Sequence, residues 1–480
     1  MVLRFALYFS VRSGSNIGMR SQRLRKCRLD LSSETSVTAA DFQSVLDRRV
    51  SKEQWEQACS RRVSKAGRPP KIPRSTIVTA VLFHFLNAVG TLGHHFEQMT
   101  GKRLAESSLA DRRATLPREV FDELLSLILR PLGQASDSEA VWRAKRLVGI
   151  DGTLFSLTNT PQNHEHAPKA KTRRGRAAFV KFSTVVLLEL GLHNPLAAAL
   201  GYEAQSEWAL ALSLIGQLPA NSLLLGDRLF GCPAFVGPLL ARAREIGSDF
   251  LIRVKDVTSV SAPKRKVKRC LGDGTALVEL TVVKKKRIVE RITVREICAV
   301  VQRARGKPVN LRFWTSLLDP VGAPAIELVG LYARRWEHEL YWKEIKLQLR
   351  KSEVLQSHTP HTASQEIAAM IILSSLLAEE RASAAAEEIP VLRISFARTL
   401  DLIRPLWLIM QVGGDLFSPE QKKELVARLR QQLRNHPSQR RRQRSCRRSI
   451  RQPQKVWPRT MQPESHEGPL SLNVLEIAKQ

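Results

Sequence analysis

The chain has 480 residues, of which 43% are hydrophobic and 25% are charged. This length and composition exclude a wholly disordered chain and a small disulfide-stapled domain, because enough apolar residues are present for a large core. Lysines and arginines number 76 against 45 aspartates and glutamates, which gives a formal net charge of +31. A positive surplus of this size is typical of proteins that bind a polyanion, and nucleic acid is the most common one.

Six cysteines are scattered singly, with no C-x-x-C pair and no Cys/His cluster at metal-ligand spacing. This pattern predicts neither a zinc site nor a disulfide framework, and it fits a reducing compartment. The longest apolar stretch, residues 367–378, has 12 residues. A membrane span needs roughly 18, so we expect a soluble, cytoplasmic protein with no membrane partner.

The first 29 residues carry seven basic side chains and no acidic one. This composition fits a transit peptide or a start codon assigned too early, with Met19 as the later start, and we favour the second interpretation. We expect residues 1–29 to be a disordered basic extension.

Residues 30–140 have apolar residues at helical spacing and are predicted to form a helical DNA-binding domain, with a plain helical bundle as the alternative. Helix starts are predicted at Ser75, at Ser107 or Ser108, and at Pro117, for helices over residues 76–89, up to 113 and over 118–130. The segment Gly67-Arg68-Pro69-Pro70-Lys71 precedes them. A Gly-Arg-Pro core can lie in an A·T minor groove with its arginine inserted, although the segment taken alone favours an ordinary proline-rich linker.

The hydrophobic period changes near residue 145. Buried strands are predicted over residues 146–153, 179–190, 195–202, 222–227 and 249–255, with helices over 207–218 and 233–246. Strands that alternate with helices indicate an α/β domain, whose first part we place at residues 141–255.

Residues 256–312 alternate as strands do, over 276–283, 288–295 and 297–301, and are punctuated by lysine and arginine. They predict a β-rich insertion with a basic face, for which a solvated basic hairpin is the alternative. The α/β domain resumes at residues 313–355 with a strand over 311–316 and a long helix over 325–349. A helical region at 356–433 and a basic tail at 434–480 complete the predicted organisation.

Three carboxylates stand in contexts that favour metal chemistry. Asp151 and Asp227 are predicted to end buried strands, and Glu339 lies inside the long helix. Strand-end carboxylates point into the crevice where open α/β sheets bind ligands. Adjacent strands lie ~4.8 Å apart, so the two aspartates could share a cation if their strands pair. Taken singly, each carboxylate is more often a turn former, a helix cap or a solvated residue.

Four polar side chains fall on one stripe of the long helix, about 60° wide at ~100° per residue, namely Tyr332, Arg335, Glu339 and Lys346. A carboxylate flanked by a phenol, a guanidinium and an ammonium suits a metal-bound phosphodiester, whose phosphates the basic groups would neutralise. A solvated mixed-charge face is the competing interpretation. The neighbouring stripe is apolar and is predicted to dock the helix on the sheet; it consists of Trp336, Leu340 and Leu347.

The spacing of these four polar residues resembles the YREK signature of the insertion sequence four family of bacterial DDE transposases. Residues 150–153 and 225–230 resemble the two Asp motifs of that family, and residues 250–255 and 314–319 resemble two of its strands. The resemblance covers about residues 70 to 430. It implies an RNase H-like α/β catalytic domain interrupted by a β-strand-rich insertion, with helical N-terminal and C-terminal regions.

The resemblance implies that Asp151, Asp227 and Glu339 are the catalytic triad and bind two Mg²⁺ ions, with Mn²⁺ able to substitute. It also implies DNA phosphate contacts from the other three signature residues, Tyr332, Arg335 and Lys346. Further candidate DNA contacts are Arg68, Arg228, Arg253, Lys255 and Trp314. In some family members a tryptophan receives a flipped base, and Trp314 is the nearest candidate, although its place beside Thr315 looks more like a core strand position.

The implied function is that of a cut-and-paste DNA transposase, which cleaves the ends of its insertion sequence and joins the 3′-hydroxyls to target DNA by two-metal phosphoryl transfer. Its expected partners are double-stranded terminal inverted repeats and target DNA, in a homodimeric synaptic complex at the bacterial nucleoid. One alternative is an RNase H-like nuclease without strand transfer. The other is a non-enzymatic DNA-binding protein derived from an inactive transposase, against which the presence of all the motif residues argues.

Overall fold

The computed structural model describes residues 40–60, 71–87, 89–134, 137–169, 171–172, 175–256, 262–284, 287–301, 309–385, 389–413 and 416–438. The predicted extension over residues 1–29, the candidate DNA contact Arg68 and most of the predicted basic tail lie outside these ranges.

The described chain begins with six helices: α1 (Ala40–Asp47), α2 (Lys52–Ser60), α3 (Arg74–Leu86), α4 (Leu92–Thr100), α5 (Glu106–Ala114) and α6 (Arg118–Ile128). Helix α6 starts after Pro117 as predicted, and its apolar side turns inward. The other two predicted caps are wrong. Pro73 precedes α3, so Ser75 lies inside that helix and its carbonyl accepts a hydrogen bond from the Thr79 hydroxyl. Ala105 precedes α5, which leaves the two candidate serines within its first turn.

The central sheet follows. Its first elements are β1 (Val141–Trp142), β2 (Lys145–Ser156), α7 (Pro161–His166), β3 (Lys171–Thr172), β4 (Gly175–Arg176), β5 (Lys181–Glu189), β6 (Asn194–Leu200), α8 (Glu207–Leu214), β7 (Ser222–Gly226), α9 (Pro233–Glu245) and β8 (Asp249–Val254). The strand order is β6-β5-β2-β7-β8. Strands β6, β5 and β2 are antiparallel, whereas β7 and β8 run parallel to β2. Three antiparallel strands continued by two parallel ones form an RNase H-like sheet, and the predicted α/β class is confirmed.

The β-rich insertion extends this sheet. Strands β9 (Lys266–Cys270), β10 (Ala276–Lys284), β11 (Arg287–Val301) and β12 (Val309–Thr315) form an antiparallel series that joins the sheet where β12 pairs with β8. The two short strands predicted over residues 288–295 and 297–301 are one continuous strand, β11. Helix α9 packs against both β8 and β10 and so covers the junction between the insertion and the central strands.

The predicted long helix occupies its expected span but is not a uniform α-helix. It consists of α10 (Ala325–Tyr332), a 3₁₀ turn (Ala333–Arg335), α11 (Trp336–Glu344) and a π-helical turn (Ile345–Leu349). The predicted apolar docking stripe is wrong, because the side chains of Trp336 and Leu347 are 57% and 61% exposed. The helix instead docks through the buried side chains of Tyr341, Trp342 and Ile345.

Three further helices complete the described chain: α12 (Pro360–Ala385), α13 (Phe396–Gly413) and α14 (Pro419–Asn435). Helix α12 contains the longest apolar stretch of the sequence and packs against α3, α6, β6 and α14. A helix that is apolar all round must be buried on all sides, and α12 forms the centre of one hydrophobic core shared by the N-terminal helices and one face of the sheet. Within the described ranges, no helix is both long enough and apolar enough to cross a membrane.

Candidate active site

Two neighbouring strands bring Asp151 and Asp227 to the same edge of the sheet. The parallel pairing of β2 with β7 ends at Ile150 and Gly226, and each aspartate is the next residue along its own chain segment. Strand β2 itself does not end at Asp151 as predicted, because it continues to Ser156 against β5. The carboxylate therefore stands where one neighbouring strand stops and the other continues, which opens a crevice beside it.

The 3₁₀ turn and α11 bring Glu339 to this crevice through Arg335. The Arg335 Nη2 donates to Glu339 Oε1 at 2.9 Å, and its Nη1 lies 3.8 Å from Asp151 Oδ2. One guanidinium thus contacts the carboxylates of both β2 and α11. Tyr332 is close by, with its ring 4.7 Å from that of Phe313 and 6.0 Å from the Arg335 guanidinium.

Lys346, in the π-helical turn, points back onto β2. Its ammonium donates to the Thr153 hydroxyl and to the carbonyl of Leu154, the latter at 3.1 Å, and it lies over the ring of Phe155. Burial, together with the nearby positive charges of Arg350 and Lys181, lowers the pKa of Lys346 to about 8. Of the four residues of the helical stripe, Lys346 thus contacts β2 beyond Asp151, Arg335 contacts Asp151 itself, and Tyr332 and Glu339 lie beside Arg335.

A carboxylate that sequence reasoning did not single out also belongs to this edge. Glu207 is the first residue of α8, and its Oε1 accepts a hydrogen bond from the Gly152 amide at 3.1 Å. Burial, and then the charge of Glu207, raise the pKa of Asp151 to about 7, with Asp227 adding a smaller contribution. A glutamate in the first turn of a helix is ordinary in sequence, so no local signal could have identified it.

The remaining candidate DNA contacts fall into different environments. Arg228 is exposed directly after Asp227, whereas Arg253 and Lys255 are half-buried in and after β8. Trp314 is fully buried in β12, and its indole N–H donates to Glu296 at 2.9 Å. The candidate base-binding role of Trp314 is therefore wrong for this structure, since a ring packed on both sides has no face for a base.

The donor chemistry of this edge suits a hard divalent cation, because carboxylate oxygens are the ligands that Mg²⁺ prefers. The space above Gly152, which a Cβ would fill, is where Glu207 enters. Across the described ranges, however, no three His, Cys, Asp or Glu side chains already converge closely enough to hold a metal ion. The carboxylates at this edge thus suit a divalent cation by their chemistry. In this structure the Arg335 guanidinium lies between the carboxylates of Asp151 and Glu339.

Parts of the chain are similar to known proteins. Residues 142–376 match a family described as "Transposase DDE domain". The transposase InsG for insertion sequence element IS4 of Escherichia coli (strain K12) is 27% identical over 256 residues, which are 49% of this chain and 52% of that protein. A putative transposase InsZ of the same organism is 36% identical over 128 residues, 26% of this chain and 43% of that protein. The chain thus spans about half the length of the curated relatives it matches.

A solved structure also matches over most of the chain. It is the cryo-EM structure of a piggyBac transposase synaptic complex with hairpin DNA. The match has a TM-score of 0.44 and 9% sequence identity, and it covers 81% of this chain and 84% of that one.

Proposed function

We propose that this chain is a DDE transposase of the insertion sequence four family, which cleaves DNA at the ends of an insertion sequence and joins those ends to target DNA. The match of residues 142–376 to the "Transposase DDE domain" family and the partial similarity to two transposases support this proposal. The observation that carries this proposal is the convergence of Asp151 and Asp227 at one sheet edge with Glu339 tied to Asp151 through Arg335. These three acids come from distant parts of the sequence, and Arg335 links the third of them to the sheet edge that the first two share.

In this proposal Asp151, Asp227 and Glu339 would hold two Mg²⁺ ions, with Mn²⁺ able to substitute. Such ions, when bound, activate a water nucleophile and stabilise the leaving oxygen of an in-line displacement. The Arg335 guanidinium would turn from the carboxylates to a phosphate, to whose two non-bridging oxygens it can donate a pair of hydrogen bonds. Tyr332 and Lys346 would donate to neighbouring phosphates along the same edge, and Arg228 would face the strand from the exposed turn after β7.

The proposed reaction has two balanced steps. Water attacks the phosphodiester at the end of the element, and a new P–O bond forms as the bond to the 3′-oxygen breaks, leaving a 3′-hydroxyl. That hydroxyl then attacks a target phosphodiester, so one P–O bond again replaces another and no nucleotide cofactor is consumed. We propose double-stranded inverted repeats and target DNA as the partners and a homodimer as the synaptic assembly.

The test is a cleavage and joining assay with purified protein, Mg²⁺ or Mn²⁺, and DNA that carries the ends of the element. The wild-type protein should nick and join these ends, whereas Asp227→Ala should bind them without cleavage. Asp401→Asn, at an exposed position of α13, is the control and should behave as wild type.

Three outcomes would each contradict a different part of the proposal. Cleavage without joining would identify a nuclease of the same fold. Binding of the ends by the wild-type protein without metal-dependent cleavage would identify a non-enzymatic DNA-binding protein. Full cleavage by Asp227→Ala would leave the fold in place but remove that residue from the site.

A further inference from the structure

Glu207 reaches the candidate active site from the face of the sheet opposite to α11. Side chains alternate along β2, so Asp151 turns towards Arg335 while position 152 faces α8. The Gly152 amide, at the edge of the sheet, donates to Glu207 Oε1 at 3.1 Å and to Asp151 Oδ1 at 3.0 Å. Two acids from opposite faces therefore meet at a single backbone N–H.

This approach requires the glycine. A Cβ at position 152 would lie 2.6 Å from Cγ and 2.7 Å from Cδ of Glu207, which is far inside van der Waals contact. The missing side chain of Gly152 thus creates the space into which the Glu207 carboxylate fits. The Ser206 hydroxyl already caps α8 by accepting from the Ala209 amide, so Glu207 is not needed as the cap of its own helix.

The charge of Glu207 is not balanced by a protein cation within the described ranges, where no ion pair involves this carboxylate. Arg335 compensates Asp151 and Glu339 on the other side of the sheet edge. A half-buried carboxylate beside the two acids Asp151 and Asp227 is unfavourable unless a cation joins it.

We propose that Glu207 is a fourth carboxylate of the active site and contributes an oxygen ligand to the divalent cation held by Asp151 and Asp227. The inference rests on the proposed function for the presence of that cation. Mg²⁺ and Mn²⁺ are six-coordinate and favour oxygen donors, so a further carboxylate fits their needs. Glu207 would approach this ion from the α8 side and Glu339 from the α11 side.

The test measures Mn²⁺ binding to the full chain by electron paramagnetic resonance of the free ion, without DNA. Glu207→Gln keeps an oxygen that can accept the Gly152 hydrogen bond but removes the charge. It should bind Mn²⁺ at least about tenfold more weakly than wild type, as expected when a charged ligand is lost. Glu203→Gln removes the same charge from an exposed position four residues earlier and should leave the affinity unchanged.

Thermal unfolding in EDTA shows whether Glu207→Gln folds as wild type does. If Glu207→Gln does not fold, Glu207→Ala replaces it and should likewise bind Mn²⁺ at least about tenfold more weakly than wild type. If a folded Glu207 variant binds Mn²⁺ as tightly as the wild type does, the proposal is overturned. Glu207 would then only accept the hydrogen bond from the Gly152 amide. The proposed function fails separately: weaker Mn²⁺ binding by the variant, combined with no DNA cleavage by the wild-type protein, would contradict transposase activity while supporting the ligand.

Discussion

At the scale of single residues, Glu207 and Gly152 depend on each other, because the Glu207 carboxylate occupies the space that a side chain at position 152 would fill. Asp151, Asp227 and Glu339 could be proposed as metal-binding acids from the sequence, because they stand in motifs that can be recognised without a structure. Glu207 could not, since its importance comes from a space at Gly152, 55 residues earlier in the chain. Trp314 shows the opposite error, because an aromatic side chain that could contact a base is equally suited to a core.

Arg335 is the residue through which the carboxylates of β2 and α11 are linked. A lysine has one ammonium and cannot contact Asp151 and Glu339 in the way that the two Nη atoms do. We expect Arg335→Lys to lower the rate of end cleavage by about tenfold or more, measured on DNA carrying the ends of the element. Arg334→Lys, at the adjacent position, is the matched control, and an equal loss in both variants would count against a specific role for Arg335.

A pair of buried histidines outside the site predicts acid sensitivity. Nδ1 of His84 lies 2.9 Å from Nδ1 of His95, and burial lowers the pKa of His84 to about 3 and that of His95 to about 4. The unfolded chain takes up protons below about pH 6.5, where the native pair does not. The stability that the neutral pair contributes is therefore complete above that pH and is lost progressively as the pH falls towards the folded values.

The measurement is the change in melting temperature between pH 7 and pH 5. One such histidine should contribute roughly 2 kcal/mol to the loss over this interval. The variant His95→Gln removes one titrating ring while retaining a donor for the Val89 carbonyl that His95 contacts, so its loss should be smaller. His94→Gln, at the exposed neighbouring position, should match the wild type, and identical pH profiles for all three proteins would contradict the prediction.

At the scale of elements, strand and helix positions followed from the sequence wherever a run of apolar residues was long. Strands β5, β7 and β8 lie where they were predicted, because a strand buried on both faces is recognisable by composition alone. The orientation of the long helix was wrong in part because a uniform 100° per residue was assumed. The 3₁₀ and π-helical turns change the angle between successive side chains around the helix axis. The sequence also did not show which part of the protein the helix packs against.

The docking of α11 on β2 depends on Gly149. A Cβ there would lie 2.9 Å from Nδ1 of His338 and 3.1 Å from Cδ2 of Leu190. His338 is fully buried and precedes Glu339, so Gly149→Ala should push α11 outward and displace the carboxylate. We expect a loss of about 1–3 kcal/mol in the free energy of unfolding and a larger effect on cleavage than on DNA binding. Gly216→Ala, where a Cβ meets nothing within 4 Å, is the control.

At the scale of the whole molecule, the positive charge and the shared core have different origins in the sequence. The charge could be counted, and it led directly to the prediction of a nucleic-acid partner. The arrangement of the helices could not be read in the same way, since α12 joins N-terminal helices, sheet and α14 through contacts between residues far apart in sequence. Periodicity reports that a helix has an apolar side but does not report what covers that side.

The basic tail is expected to add affinity without adding sequence preference. Nine lysines and arginines and no acid occur between residues 440 and 459. Removal of residues 440–480 should weaken DNA binding equally for the element's ends and for unrelated DNA, and should reduce the dependence of binding on salt. Filter binding at several salt concentrations measures both quantities. A loss confined to the element's own ends would show instead that the tail reads sequence.

The central position of α12 sets a condition on synthesis. The helices α3 and α6 emerge from the ribosome some 250 residues before the segment that fills the space between them. At the usual speed of translation, about 5–20 residues per second, the apolar surfaces of α3 and α6 stay uncovered for many seconds before α12 is synthesised. A nascent chain halted before Pro360 would present these surfaces to chaperones and proteases, so premature termination of this gene should yield rapidly degraded fragments.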